Sequence, residues 1–339
     1  MALKLADKWI WDSWYTKDGD TYHAFYLHAS RALGDPVRRH RHPIVGHAIS
    51  KDLTNWTVVA DAIIVSDEPE AFDSWTTWTG SVIRNDDGTW WMFYTGTSRG
   101  DGGEVQRIGA ATSPDLMTWT KISKQALSEA DSRYENWLRP DGKVEVNWRD
   151  PWVFRFPAGV TTGAAAVGVQ DGVEPHAVWH MLTTPHGNDA ERPQRGLTGH
   201  ATSTDLINWT TQAPLSQVGQ SFDQMEVFQF EIVDGVPVLV FCCAWPDISA
   251  DRLAKLGQHD ATYSLAVSAD LSELNFNKAY PYDFNSEFVY AGRIIQGPDG
   301  KWNLIGFVQN AANEFEGYLS DPIPVTANRE RGLVPRSVL

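Results

Sequence analysis

Short apolar runs alternate along this chain with clusters of Asp, Gly, Ser and Asn, the pattern of strands divided by tight turns. One phrase returns in phase. GHAISKDLTNW (residues 46–56) recurs as GAATSPDLMTW (109–119) and GHATSTDLINW (199–209), more weakly as SLAVSADLSEL (264–274), and as a remnant, EGYLSDP, from Glu316. In each copy a run of small and apolar residues reads as a strand. Ser-x-Asp-Leu reads as a turn, because Ser and Asp side chains bond their own backbone. Trp-Thr then opens the next strand. A second turn precedes most copies: Lys17-Asp-Gly-Asp20, Asp86-Asp-Gly-Thr89, Val233-Asp-Gly-Val236 and Pro298-Asp-Gly-Lys301. Asp-Gly between apolar runs is a strong hairpin signal. Two hairpins make four antiparallel strands, and five such units predict an all-β, five-bladed β-propeller. The alternative, independent hairpins in a two-sheet sandwich, does not account for in-phase repetition.

The propeller is expected to be a single domain over residues 1–339, with blades beginning near Asp12, Trp78, Asp150, Glu226 and Tyr290 and no C-terminal β-sandwich. With strands A to D in each blade, both kinds of tight turn fall on one face of the disc. The connections on the other face are long, among them 31–43, 185–195 and 244–260 between strands B and C, and 66–78 and 123–147 between blades. Long loops in a compact fold are usually functional. That face is also where the innermost A strands begin, so it is the expected binding face.

Three of those A strands begin with an acid: Asp12 in WIWDSW, Asp150 in WRDP and Glu226 in DQMEVF. An isolated Asp opening a strand is usually structural. Three acids at equivalent blade positions converge on one funnel, where like charges raise at least one pKa and so make a general acid at neutral pH. A carboxylate among tryptophans, as at Asp12, also suits a sugar pocket, since aromatic rings stack on sugar faces.

Composition narrows the partners. The 339 residues are 42% hydrophobic and include 16 Trp, and the net charge of −15 argues against nucleic acid. That charge is compatible with a neutral substrate. Cys242 and Cys243 are adjacent, point to opposite faces of a strand, and read as reduced core thiols. No signal-peptide pattern and no membrane span are visible, so the expected location is cytoplasmic. No cofactor or metal is expected. His40, His42 and His47 look metal-like, as does His186 near Asp189, but Arg38, Arg39 and Arg41 around the first cluster would repel a cation. Most Trp residues, Trp56, Trp119 and Trp209 above all, read as blade core. Trp75, Tyr134 and Trp137 are weaker sugar-subsite candidates, and Arg192 and Arg195 read as binders of a sugar hydroxyl or phosphate, or as solvated side chains.

At this point the chain resembles the five-bladed furanosidases of glycoside hydrolase families 32 and 68, and more distantly family 43. Trp11-Asp12-Ser13-Trp14, Trp78-Thr79-Gly80-Ser81 and Arg149-Asp150-Pro151 match motifs of that group, and Glu226 occupies the place of its acid/base. The fourth segment departs from the pattern, reading Gln-Met-Glu-Val-Phe. The resemblance implies Asp12 as nucleophile, Glu226 as general acid/base and Asp150 as transition-state stabiliser. It places Trp11, Trp78 and Arg149 against the sugar ring. Thr79 would bond the nucleophile and Gln224 would touch substrate; Tyr290, opening the fifth blade, completes the candidate binding set. It implies a retaining hydrolase of a furanoside, best a β-fructofuranoside such as sucrose or a short fructo-oligosaccharide. The rival readings are an inverting arabinofuranosidase or xylosidase of the family 43 kind and a non-catalytic carbohydrate-binding propeller.

Overall fold

The computed structural model describes residues 2–138, 142–160, 175–188, 190–257, 260–282, 288–309 and 314–336; Asp189 of the candidate histidine cluster lies outside them. Five antiparallel sheets follow one another along the chain. Blade one is β1 (Lys8–Asp18), β2 (Thr21–Ser30), β3 (Ile44–Ser50) and β4 (Thr57–Val58). Blade two is β5 (Thr76–Arg84), β6 (Trp90–Thr97), β7 (Gln106–Ser113) and β8 (Thr120–Lys121). A small hairpin, β9 (Asn136–Leu138) with β10 (Val144–Val146), precedes blade three. That blade is β11 (Arg149–Phe154), β12 (Trp179–Thr184), β13 (Gly199–Ser203) and β14 (Thr210–Thr211). Blade four is β15 (Glu226–Val233), β16 (Val236–Cys243), β17 (Ala261–Ala266) and β18 (Tyr280–Pro281). Blade five runs β19 (Phe288–Gln296), β20 (Trp302–Gln309), then β21 (Phe315–Leu319) and β22 (Ile323–Asn328), both paired to β20, and last β23 (Gly332–Pro335). The third strand of this blade is broken in two, at the remnant of the repeat. The inner strands β1, β5, β11, β15 and β19 pack in a ring, and β19 returns to β1. The seven-residue helix Ala250–Leu256 is far too short to cross a membrane, and no described helix is long and apolar enough to do so.

The repeated turns do what their sequence requires and one thing more. Asp52, Asp115 and Asp205 each accept backbone N–H groups two and three residues on. The following leucines, Leu53, Leu116, Leu206 and Leu271, take left-handed backbone angles (φ 54 to 68°) and are fully buried. An αL leucine costs free energy that its burial offsets. The repeat tryptophans then join the blades: Trp119 lies edge-on to Phe25 of blade one, and Trp209 edge-on to Phe93 of blade two, each at 5.5 Å. The ring is fastened at the N-terminus, where the Leu319 N–H donates to the Leu3 carbonyl (3.1 Å).

Candidate active site

Every inner strand loses register near its start. The irregularities fall between Ile10 and Ser13, Thr77 and Gly80, Arg149 and Trp152, Glu226 and Gln229, and Tyr290 and Arg293. A bulge frees residues from the ladder and re-aims their side chains. Asp12, Thr79 and Asp150 lie inside these bulges, and Glu226 and Tyr290 immediately before them. Asp150, Val227 and Ala291 have positive φ (58, 57 and 50°), a strained choice, most of all for the β-branched valine. The five bulges lie at one mouth of the ring, and each has at least one residue in or beside it that lines the same cavity.

They open onto a cavity of about 450 Å³ that holds all nine residues singled out from the sequence. Thr79 donates its hydroxyl to Asp12 Oδ2. Arg149 donates to Glu226 Oε1 (2.8 Å), to Asn147 Oδ1 (2.7 Å) and to Gln224 Oε1, and its Nε stands 3.5 Å from Asp150 Oδ2. Tyr290 donates to the other oxygen of Glu226 (2.6 Å). The Asp150 N–H is held by Thr95 Oγ1 (2.8 Å). Trp78 donates Nε1–H to the His40 carbonyl (2.9 Å), and Trp11 meets the His40 ring edge-on. Burial is the main influence on the two aspartates. It lifts Asp12 to about 6, with Glu226 adding to the rise and the Thr79 bond and Arg39 opposing it. It also lifts Asp150, where the charges of Glu226 and Asp12 add to the rise and Arg149 resists it.

The cavity contains groups the sequence reading missed. Arg39 and His40 reach it from the loop after β2, Gln106 and Asn147 flank Arg149, and Asp247 and Asp260 come from the loop after β16. Arg293 is buried at 1% exposure beneath the site, donating to the Phe228 carbonyl, its charge acting on both Asp150 and Asp12. Its one sequence signal is position, three residues past Tyr290 on the same inner strand. Other candidates fall elsewhere. Arg195 does not line the cavity: it is buried in a two-pronged pair with Asp223, and Arg192 bonds Asp223 and Asp247. Tyr134 is core, its hydroxyl given to the Gln212 carbonyl. Trp137 is exposed, Trp75 lies under Arg41, and neither lines the cavity. His47 is stacked on His23 inside blade one, and His186 contacts Glu135 and Asn147. Cys242 and Cys243 are free and buried. A second axial cavity, about 660 Å³, opens at the far mouth and is larger, but the three converging acids all face the smaller one.

Comparison with known proteins agrees with this geometry. Residues 13–179 match the glycosyl hydrolases family 32 N-terminal domain. A β-fructofuranosidase 1 of Zea mays is 34% identical over 131 residues, 37% of this chain and 18% of that protein. A fructan 1-exohydrolase w1 of Triticum aestivum is 29% identical over 196 residues, 56% of this chain and 26% of its own length. The alignments thus span less than a third of either relative. Among solved structures, an inulosucrase from Halalkalicoccus jeotgali bound to kestose superposes with a TM-score of 0.72 at 18% identity, over 98% of this chain and 88% of that one. Fructan 1-exohydrolase IIa from Cichorium intybus gives 0.66 at 20% identity, over 99% and 60%. Residues 13–179 thus carry a glycosyl hydrolases family 32 N-terminal domain, and the propeller continues past them to close around the bulged acids.

Proposed function

We propose that this propeller is a retaining glycoside hydrolase that cleaves a β-fructofuranoside, sucrose or a short fructo-oligosaccharide, within the cavity around Asp12 and Glu226. The observation behind this reading is the convergence of Asp12, Asp150 and Glu226 from three blades, with Arg149 and Tyr290 each bonded to Glu226. The names of the relatives, all acting on fructosides, point the same way.

In this scheme Asp12 attacks the anomeric carbon while Glu226 gives its proton to the leaving oxygen. The Thr79 hydroxyl fixes the attacking carboxylate. Glu226 then takes a proton from water as that water displaces the sugar from Asp12, restoring both groups. Asp150 holds sugar hydroxyls, and Trp11 and Trp78 form the apolar wall that fits the ring's carbon face. Burial that raises Asp12 to about 6 sets its ionisation, so kcat/KM falls as pH drops below about 6.

The test is hydrolysis of sucrose, 1-kestose, inulin, levan and nitrophenyl arabinofuranoside and xyloside, with product anomers followed by proton NMR from the first minutes. Fructose released with retained configuration supports the proposal. Arabinose or xylose released with inversion would replace it, and inertness on every substrate would leave a binding protein.

A further inference from the structure

We infer that the buried Arg195–Asp223 pair, with Glu135 and His186 beside it, is a positioning unit that holds the carboxyl of Glu226 in place without touching substrate. This rests on the hydrolase reading above. Asp223 is fully buried three residues before Glu226. Its carboxylate accepts from Arg195 Nε (3.0 Å), Arg195 Nη2 (2.8 Å), the Arg195 backbone N–H (3.2 Å) and Arg192 Nε (2.9 Å). Its own N–H donates to the Asp247 carbonyl (2.7 Å). Arg195 turns its remaining nitrogen to Glu135 (2.9 Å). Glu135 lies 3.2 Å from His186 Nδ1, and the Asn147 amide lies 3.2 Å from the same nitrogen. Asn147 accepts from Arg149, and Arg149 donates to Glu226.

The contacts therefore close a ring. It runs from Glu226 through Arg149, Asn147, His186, Glu135, Arg195 and Asp223, and returns to Glu226 through Gln224 and Met225. It ties together three separate connections, those before β11, after β12 and before β15, which run outside the blade sheets. Glu135, His186, Arg195 and Asp223 do not line the cavity. The backbone they anchor is strained on both sides of Glu226, with left-handed Ser221 and Val227, and such a conformation persists only where its surroundings over-determine it. A buried ion pair adds little net stability. Here it fixes one geometry: Arg195 is a planar fork that Lys cannot imitate, and a catalytic group displaced by about 1 Å costs about 10²-fold in rate.

The experiment compares kcat/KM for sucrose and for β-fructosyl fluoride in Arg195→Lys, Glu135→Gln and Asp223→Asn, with Glu226→Gln as reference. Fluoride leaves without a proton, so only sucrose depends on where Glu226 stands in the first step. The inference predicts a fall of roughly 10- to 100-fold on sucrose and less than about threefold on the fluoride, with Glu226→Gln showing the same split, larger. Parallel losses on both substrates, or no loss on either, would overturn it. Should Asp223→Asn not fold, Arg195→Lys keeps the charge and supplies the same readout, with melting temperature as the check. A wild-type protein inert on both substrates overturns the hydrolase reading and this one with it, whereas active wild type with unchanged variants overturns this one alone.

Discussion

Aspartate serves opposite purposes on the two faces of this propeller. On the tight-turn face, Asp52, Asp115 and Asp205 are exposed, accept two backbone N–H groups each, and are held below the usual carboxylate range chiefly by those bonds. At the opposite mouth, Asp12 and Asp150 sit in strand bulges, where burial pushes both upward. The turn carboxylates are most stable charged and serve the fold. The central ones are costly when charged, which suits the chemistry proposed for Asp12. The same residue type is thus a structural clip where water and amides surround it, and a chemical group where they are withdrawn.

The sharpest way to break this contrast is to remove one charge from each face. Asp12→Asn should lower hydrolysis by roughly 10⁴-fold or more, while stability at pH 7.5 rises by about 1–3 kcal/mol because a buried charge is gone. Initial rates and denaturant melts check both halves, and an active or destabilised variant would erase the distinction. Next in size is Gly80, in the register slip that presents Thr79 to Asp12: a Cβ there would stand 2.1 Å from the Phe93 carbonyl oxygen. Gly80→Ala should therefore cost about 3 kcal/mol, measured by urea unfolding.

The blade bodies supply a pH signature of the opposite sign to Asp12. His47 and His200 are stacked on His23 and His180, and burial, with the neighbouring ring adding, lowers each to about 3 from an ordinary 6.5. Both folded and unfolded forms are neutral above pH 6.5, so this stability is complete there; between 6.5 and 3 only the unfolded chain takes the proton, and it is lost. For His200 the loss from pH 7.5 to 5 is about 2 kcal/mol, and His200→Gln should flatten the stability curve over that range. Asp12 runs the other way: its folded value, about 6, lies above the ordinary 3.8, so its contribution is favourable in acid and fades as pH rises through 6. The smallest effect belongs to the turn face. Asp205→Ala loses the bonds to Ser203, Ile207 and Asn208 and should cost about 1 kcal/mol with hydrolysis unchanged.

The sequence by itself determined the blade count, the turns and the face on which the loops gather. Those features rest on local rules: an Asp-Gly pair or a Ser-x-Asp-Leu phrase folds its own backbone, and repetition in phase makes the units stack. It also named nine of the residues that line the cavity, because motif and blade position survive in one dimension. The tertiary structure alone decided the bulges, which depend on a missed pairing between strands and leave no composition of their own. It decided that Arg39 and Arg293 bring positive charge to the site from a loop and from beneath the floor, and that Arg195 is paired with Asp223. Charge in a sequence carries no partner. Only the packing of distant connections determines whether a guanidinium meets solvent, a sugar or a buried carboxylate.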